Sequence, residues 1–395
     1  MHLTVWVPAL MFILAEARDF TVKNKISEHH PAVEVSMAYE AQHAIKRGLD
    51  YLKSTQLEDG SWSHYPAITA LAVSAFLRSP YRDSLDYAAT IQGGIDFILK
   101  HVRDDGSIYA KDMPCYNTAI CMMALIDTKD PKYAEIIRKA RDYLISLQAD
   151  EEEGYTAENK FYGGIGYGDD DRPDLSNLEW ALEALRNSEK YRSKSEATGQ
   201  PVEFSGQSAY QTHSGNVVNK ELFWEKAIIF LQRCQNLKKY NDAVPESQDD
   251  GGFVYEPGFS QAGGLRSYGS MTYAGLKSFI YARVDKNDPR VQGAWKWING
   301  HFTLEENPPI GYQGLFYYYL TMAKALRVYG ADSVRDASGK YHNWRNELIA
   351  KLVNLQDEDG SWINQEARWW EKNRDLVTSY AVLTLEECLR KGGEK

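Results

Sequence analysis

The 395-residue chain holds four cysteines, at positions 115, 121, 234 and 388, with no C-x-x-C pair among them. That spacing excludes a disulfide framework and gives no support to a zinc ribbon or a dithiol redox centre. The nine histidines never fall at H-x-x-x-H spacing, which removes the H-E-x-x-H metalloprotease signature. There is no G-x-S-x-G elbow and no phosphate loop, so the common hydrolase and nucleotide motifs are missing too. Positive charge is in the minority, 45 Lys+Arg against 55 Asp+Glu for a net charge of -10, and no basic run occurs. A nucleic-acid partner, which depends on neutralising phosphates, is therefore not expected. The apolar run over 3–14 is too short, at about 12 residues, to span a bilayer comfortably.

What is present is a globular composition, 43% hydrophobic and 25% charged, with 29 Gly and 13 Pro. Tyr (26) is twice as frequent as Phe (13), and there are 10 Trp, a balance that favours a lined cavity or groove with polar tips over a purely aliphatic core. The run over 3–14 is followed by Ala15-Glu16-Ala17, a small-residue spacing that fits a signal-peptidase site before Arg18. Residues 1–17 are accordingly expected to be a signal peptide and the protein to be exported, periplasmic or extracellular. The region ahead of the run, Met1-His2, carries no Lys or Arg, and the competing expectation is a segment packed on the domain. No cysteine follows the run to indicate a lipid anchor; a peripheral membrane contact is compatible with an apolar ligand.

Internal repetition organises the remainder, from about residue 40 to 390. Each unit has an amphipathic helix, a Gly-rich loop and a second helix richer in small and apolar residues. The first runs from Ala44–Leu52 through Gln56-Leu57-Glu58-Asp59-Gly60-Ser61-Trp62 to Ile68–Val73, and the last repeats its loop as Gln356-Asp357-Glu358-Asp359-Gly360-Ser361-Trp362. Between them come loops at Asp105-Gly106-Ser107, Gly163-Gly164-Ile165, Gly251-Gly252-Phe253 and, more divergent, Gly311-Tyr312. No helix pair can bury its apolar face alone, so neighbours must stack. Striped first helices suit an outer ring and small-residue second helices an inner one. Six units predict an all-α fold, a closed α/α toroid of twelve helices with the last repeat packed on the first. Gly is expected to allow the tight loop, and Gln and Trp to staple neighbouring repeats. The stretch 187–219, rich in Ser, Gln, Glu and Lys, reads as a surface insertion.

The two Q-x-x-D-G-S-W loops resemble the QW repeats of squalene–hopene and oxidosqualene cyclases. The stretch Arg233-Cys234-Gln235-Asn236 with Gly251-Gly252-Phe253 and Pro257-Gly258 is similar to the beta subunits of protein prenyltransferases. The resemblance implies a single toroid, with a central cavity opening near the N-termini of the inner helices. It also implies where chemistry would sit. Class II terpene cyclases protonate an alkene with the middle Asp of a D-x-D-D motif. Aligned on Arg172-Pro173-Asp174-Leu175-Ser176-Asn177, the first Asp is Asp174, but the donor position holds Ser176 and the last holds Asn177. A serine hydroxyl is far too weak an acid for that step. The acidic loop Asp169-Asp170-Asp171 lies on the wrong side of the proline. The zinc ligands of the prenyltransferases align with Tyr268, Ser270 and Val377, so no metal is expected, and no other cofactor is implied. The Cys-Gly-Glu-Gln segment of complement-type thioester domains, which share the toroid, is absent.

Repeat alignment leaves Asp174 and Asp375 as candidate catalytic carboxylates. Tyr116, Asn117, Ser176, Asn177, Tyr268, Ser270, Tyr312 and Arg374 remain as candidate ligand-binding residues around the mouth. Ser176-Asn177-Leu178-Glu179 also reads as a capping box, and Asp375 as the cap of the sixth inner helix with Arg374 as its partner. Three functions stay open. A cyclase-like enzyme acting on a polyisoprenoid and a non-catalytic binding toroid both predict a deep, apolar, aromatic cavity. A carbohydrate-active toroid predicts an open groove with facing carboxylates.

Overall fold

The computed structural model describes residues 33–168, 172–192 and 220–390. The run over 3–14 with its cleavage spacing, the acidic loop 169–171 and residues 193–219 of the insertion lie outside the described residues. The described part of the 187–219 stretch begins as the end of an inner helix and a turn at Glu189–Tyr191.

Six helix pairs follow one another. The first helices are α1 (Val35–Thr55), α3 (Leu85–Leu99), α5 (Ala134–Ser146), α7 (Lys220–Cys234), α9 (Pro289–His301) and α11 (Trp344–Leu355). Their partners are α2 (Pro66–Arg78), α4 (Pro114–Asp127), α6 (Leu175–Asn187), α8 (Gly269–Tyr281), α10 (Leu315–Tyr329) and α12 (Arg374–Leu389). A short hairpin, β1 (Val334–Arg335) with β2 (Tyr341–His342), links α10 to α11. The sequence pattern explains the division into rings. In α1 a single stripe, Ala41, Ala44, Ile45, Gly48, Leu49 and Leu52, is buried, whereas α2 is buried at every position from Pro66 to Leu77. The even-numbered helices pack side by side from α2 through α12, and α12 returns onto α2, closing the inner ring; α1 and α11 close the outer one. Among the described residues no helix is long and apolar enough to cross a membrane.

One joint is used again and again. The Gln56 amide donates to the Gly60 carbonyl of its own loop (2.9 Å) and to the Thr90 carbonyl in the next outer helix (2.8 Å). Gln148 does the same to Gly163 and Phe223, Gln235 to Gly251 and Arg290, and Gln356 to Gly360 and Ala44. The last of these joins repeat six to repeat one. Inside each joint the loop glycine presses against the neighbouring helix. A Cβ added to Gly360, which sits at φ +90°, would lie 2.5 Å from the Arg47 carbonyl oxygen. The tryptophans bridge repeats by packing and not by hydrogen bond: the Trp62 and Trp362 indoles donate within their own repeats, to the Leu52 and Leu352 carbonyls, both at 2.8 Å. Their rings touch the next repeat by packing on Gly94 and Gly48.

The N-termini of the inner helices are likewise held by the following repeat. Cys115 N–H donates to Tyr167 O, Leu175 N–H to Tyr255 O and Gly269 N–H to Pro308 O. Side chains add to this: Asn117 accepts from Ala67 N–H, Asn307 from Ser270 N–H, and Glu371 from both Phe316 and Tyr317 N–H. Orphan donors of a helix start are thus satisfied across the repeat boundary.

The joint gives a paired test. Gly360→Ala should lower unfolding stability by at least about 3 kcal/mol, because left-handed strain and a backbone clash add. Gly154→Ala, at φ +81° with nothing within 4 Å, should cost only the strain, roughly 1 kcal/mol. Denaturant melts of the two variants measure the difference; equal losses would mean the joint is not tightly packed.

Candidate functional site

The first turns of the inner helices surround the axis at one end of the toroid. Inner-helix side chains are buried almost throughout, and beyond the helix ends the described exceptions are Tyr116 on α4, Ser176 on α6 and Tyr317 on α10, each half-buried. The space onto which these three partly exposed side chains open is called the cup. The Tyr116 hydroxyl meets that of Tyr380 on α12 at 3.1 Å, and Tyr317 donates to Glu179 on α6 at 2.8 Å. Trp180 packs edge-to-face with Tyr116, ring centroids 5.7 Å apart, and Tyr317 lies beside Tyr380, centroids 6.3 Å apart. The helices involved, α4 with α12 and α6 with α10, are not ring neighbours, so these contacts cross the axis and form a floor.

Below the floor the axis is ionic. Lys277 on α8 pairs with both Glu179 and Glu183 of α6, the latter at 2.6 Å, and Lys324 on α10 reaches Glu183 at 2.9 Å. Both ammonium groups also stand over the Trp180 ring, at 5.5 and 4.3 Å. All four charges are essentially removed from solvent. Burial works to lower the Lys277 ammonium, but Glu179 and Glu183 outweigh it and hold it above its ordinary value. Burial works to raise the Glu183 carboxyl, and Lys277 and Lys324 outweigh that to hold it below the usual range. Lys324 is lowered by burial despite Glu183. At the far end Arg78, Arg327, Asp127, Glu183 and Glu387 line a small polar cavity of about 70 Å³. Buried charge thus stands on the axis beneath these hydroxyls. A surface hollow of about 360 Å³ beside the β1–β2 hairpin, at Asn299 and Asp336, is far from these groups in the fold.

Burial and carboxylates fix the cup's protonation. The Tyr317 phenol is pushed well above its ordinary value by burial and by Glu179. Tyr116 is raised by burial and by Tyr380, and Tyr380 by burial with Glu371 and Glu179 nearby. All three are neutral hydroxyls near neutral pH.

Around the rim, Tyr312 is 63% exposed, Trp369 41% and Trp370 55%. Trp369 and Trp370 both sit at positive φ, 55° and 66°, a strained conformation for bulky residues. Their loop straddles the mouth. Arg368 donates to Gln313 at 2.7 Å and Gln261 at 2.5 Å, while Trp370 packs edge-on against Tyr65, ring centroids 5.1 Å apart. Glu371 anchors the loop by capping α10, and burial pushes its carboxyl up to about 7.

The structure separates the two candidate catalytic carboxylates. Asp174 is 1% exposed and is the N-cap of α6, accepting from Asn177 N–H (2.9 Å) and the Asn177 side-chain amide (2.7 Å). Asp375 lies between repeats six and one, accepting from Thr55 and Ser63, and shares no partner with Asp174. The cap expectations change accordingly. Ser176 is inside the first turn of α6 rather than its cap, because Asp174 already takes the Asn177 N–H, and Glu179 points to the axis instead of back along the helix. Asn373, accepting from Leu376 N–H, caps α12 in place of Asp375. Arg374 pairs with Asp357 at 2.6 Å, not with Asp375. Asn117 and Asn177 are spent on helix starts, Ser270 on Asn307 (3.1 Å), and Tyr268 is buried at the start of α8. Of the residues named from sequence, Tyr116 and Ser176 are half-buried on the inner helices and Tyr312 is exposed. Sequence reasoning missed Tyr317, Tyr380, Glu179 and Lys277. Lysines and glutamates in the middle of otherwise apolar inner helices were the available signal. Among the described residues no group of three or more His, Cys, Asp or Glu is placed to hold a metal ion.

No family model matches the chain, and no curated protein is similar to it. Solved structures share the toroid. A type II terpene cyclase from Scytonema, in complex with geranylgeranyl dihydroxybenzoate, is 12% identical over 90% of this chain and 99% of its own, with a TM-score of 0.53. An α-1,6-mannanase from Salegentibacter, in complex with α-1,6-mannotriose, is 10% identical over 88% and 98%, with a TM-score of 0.51. At such identity they share a fold with this chain, and the same architecture carries two unrelated chemistries.

Asp174 yields a pH test. Burial pushes its carboxyl up to about 7 against the pull of its Asn177 hydrogen bonds. A carboxyl raised in the folded state contributes stability that is full below its unfolded value, about 4, and is lost as pH rises through about 7. Asp174→Asn retains a capping oxygen without the charge. Between pH 5 and 7 the variant should lose up to one proton of slope, about 1.4 kcal/mol per pH unit, in urea-derived stabilities. An unchanged slope would show that Asp174 is ionised throughout.

Proposed function

We propose that this chain is a ligand-binding toroid whose axial cup takes one end of an apolar molecule such as a polyisoprenoid, without cyclising it. The observation that carries this is the cup itself: half-buried Tyr116, Ser176 and Tyr317 at the mouth, backed by Tyr380 and Trp180. Preformed aromatic walls bind apolar groups without needing an acid. Three features argue against alkene protonation. Ser176 stands where the cyclase resemblance calls for the donor carboxyl, Asp174 is committed to capping α6, and Asp375 is in a seam between repeats. The terpene cyclase likeness supports a prenyl ligand only through the fold. Export of the protein stays part of the proposal, and amino-terminal sequencing of the mature protein checks it.

A carbohydrate reading has one observation in its favour, the exposed Trp369, Trp370 and Tyr312 at the rim, since flat aromatic faces also suit sugar rings. The two readings part in one experiment. Purified protein is incubated with squalene, geranylgeraniol and mannotriose, binding is followed by tryptophan fluorescence, and extracts are analysed by gas chromatography. Polyprenyl binding with no cyclic product is expected, and Tyr317→Ala should weaken it about ten-fold. Cyclic product abolished by Asp174→Asn would restore the cyclase assignment, and binding of mannotriose alone would favour the carbohydrate one.

A further inference from the structure

We propose that His342, held as an imidazolium between two carboxylates, is a pH-sensitive clasp that takes the place of the glutamine–glycine joint between repeats five and six; this holds whatever the cup binds. The residue directly after the outer helix is Gln56 in repeat one, Gln235 in repeat four and Gln356 in repeat six, and each sends its amide to the next outer helix. After α9 that position holds Phe302, which has no amide to send, and Gly311 of the same repeat has nothing within 4 Å. The β1–β2 hairpin lies across the boundary instead. Arg335 N–H donates to Asn299 Oδ1 on α9 (3.1 Å), and the Phe302 ring packs on His342 of β2, ring centroids 4.9 Å apart. His342 Nδ1 lies 2.8 Å from Glu347 Oε2 in the first turn of α11, and its Nε2 lies 3.0 Å from Asp336 Oδ2 in the hairpin loop. One ring thus ties the end of α9, the hairpin and the start of α11 together.

The two distances fix the charge of the ring. Both nitrogens face carboxylate oxygens, and an ionised carboxylate only accepts, so both nitrogens must donate. Imidazole does that only when doubly protonated. The proton shared with Asp336 stays on the ring, because Asp336 Oδ1 already accepts from Ser338 N–H (2.9 Å), the Ser338 hydroxyl (2.6 Å) and Lys340 N–H (2.9 Å), a set of donors that holds the carboxyl as an anion. Burial works to lower the imidazolium, and Asp336 and Glu347 outweigh it and hold the ring above its ordinary value of 6.5, with the Lys340 charge opposing them. The groups around the ring are Asp336 and Lys340 of the hairpin, Glu347 of α11 and, from α9, the uncharged Phe302. A raised imidazolium contributes stability that is full below about 6.5 and is lost as pH rises through its folded value. Once neutral, the ring donates to one carboxylate and turns a lone pair toward the other, so the tie between hairpin and α11 gives way. The glutamine joints use amides and backbone carbonyls, which do not titrate.

Proton NMR of the nine histidines of the full-length protein reads the charge, the His342 signal being the one lost in His342→Gln. In the wild type it should titrate above 6.5, and Asp336→Asn and Glu347→Gln should each move its midpoint down. Hydrogen exchange, compared between variant and wild type at matched pH, reads the seam. At about pH 6 the hairpin and the facing ends of α9 and α11 should exchange about ten-fold faster in His342→Gln, with α1 unchanged, because charge-assisted hydrogen bonds are lost there. The ratio should fall toward one above the His342 midpoint; taking the ratio cancels the titration of Glu371, which bridges the same two repeats at the mouth. Glu347→Gln, which keeps the histidine, carries the exchange measurement if His342→Gln fails to fold. A midpoint at or below 6.5, a ratio that does not change with pH, or faster exchange spread evenly around the ring would each overturn the proposal.

Discussion

Everything in this toroid depends on one backbone contact, the approach of a loop glycine to the outer helix of the following repeat. At Gly360 a single added carbon would reach the Arg47 carbonyl, and the Gln356 amide beside it binds across the same boundary to Ala44. The contact recurs at Gly60, Gly106, Gly163 and Gly251, so five of the six repeats fix the next in the same way, and Gly311 of the fifth has nothing within 4 Å. Five such steps, with the divergent fifth repeat, close a ring. The inner helices are then delivered to the axis with their first turns level, and the next repeat's loop supplies the acceptors those turns need. A cup at one end follows from this arrangement.

The axis beneath the cup is the costly part of the molecule. Two glutamates and two lysines stand where aliphatic side chains would have packed without a desolvation penalty, and buried ion pairs commonly fail to repay that penalty. What they provide is a specific link between α6, α8 and α10, together with the hydroxyl contacts from α10 and α12. The result is a mouth at one end and a small polar cavity at the other, with the ionic plug between.

Much of the fold was legible in the sequence because its signals are local. The Q-x-x-D-G-S-W loops mark the joints, and the contrast between a striped α1 and a uniformly apolar α2 marks the rings. The site was less legible. Asp174 and Asp375 were found at helix starts as the alignment required, yet a helix start is also where a carboxylate serves as a cap, and Asp174 proved to be one. The register of the cap, at Asp174 two residues before Ser176, decided which side chain faced the axis. Glu179, Lys277 and Tyr317 come from three repeats, and their meeting depends on the ring's radius and on contacts across it. Spacing along the chain does not record that.

The most direct test of the account is a crystal structure of the full-length protein grown with geranylgeraniol. The account predicts a single ligand at the axis, one end against Tyr116, Ser176 and Tyr317, its chain directed toward Trp369 and Trp370, and the Lys277–Glu183–Lys324 pairs intact beneath it. A ligand lying through the axis with those ion pairs parted, or bound outside the cup with its hydroxyl in solvent, would contradict it.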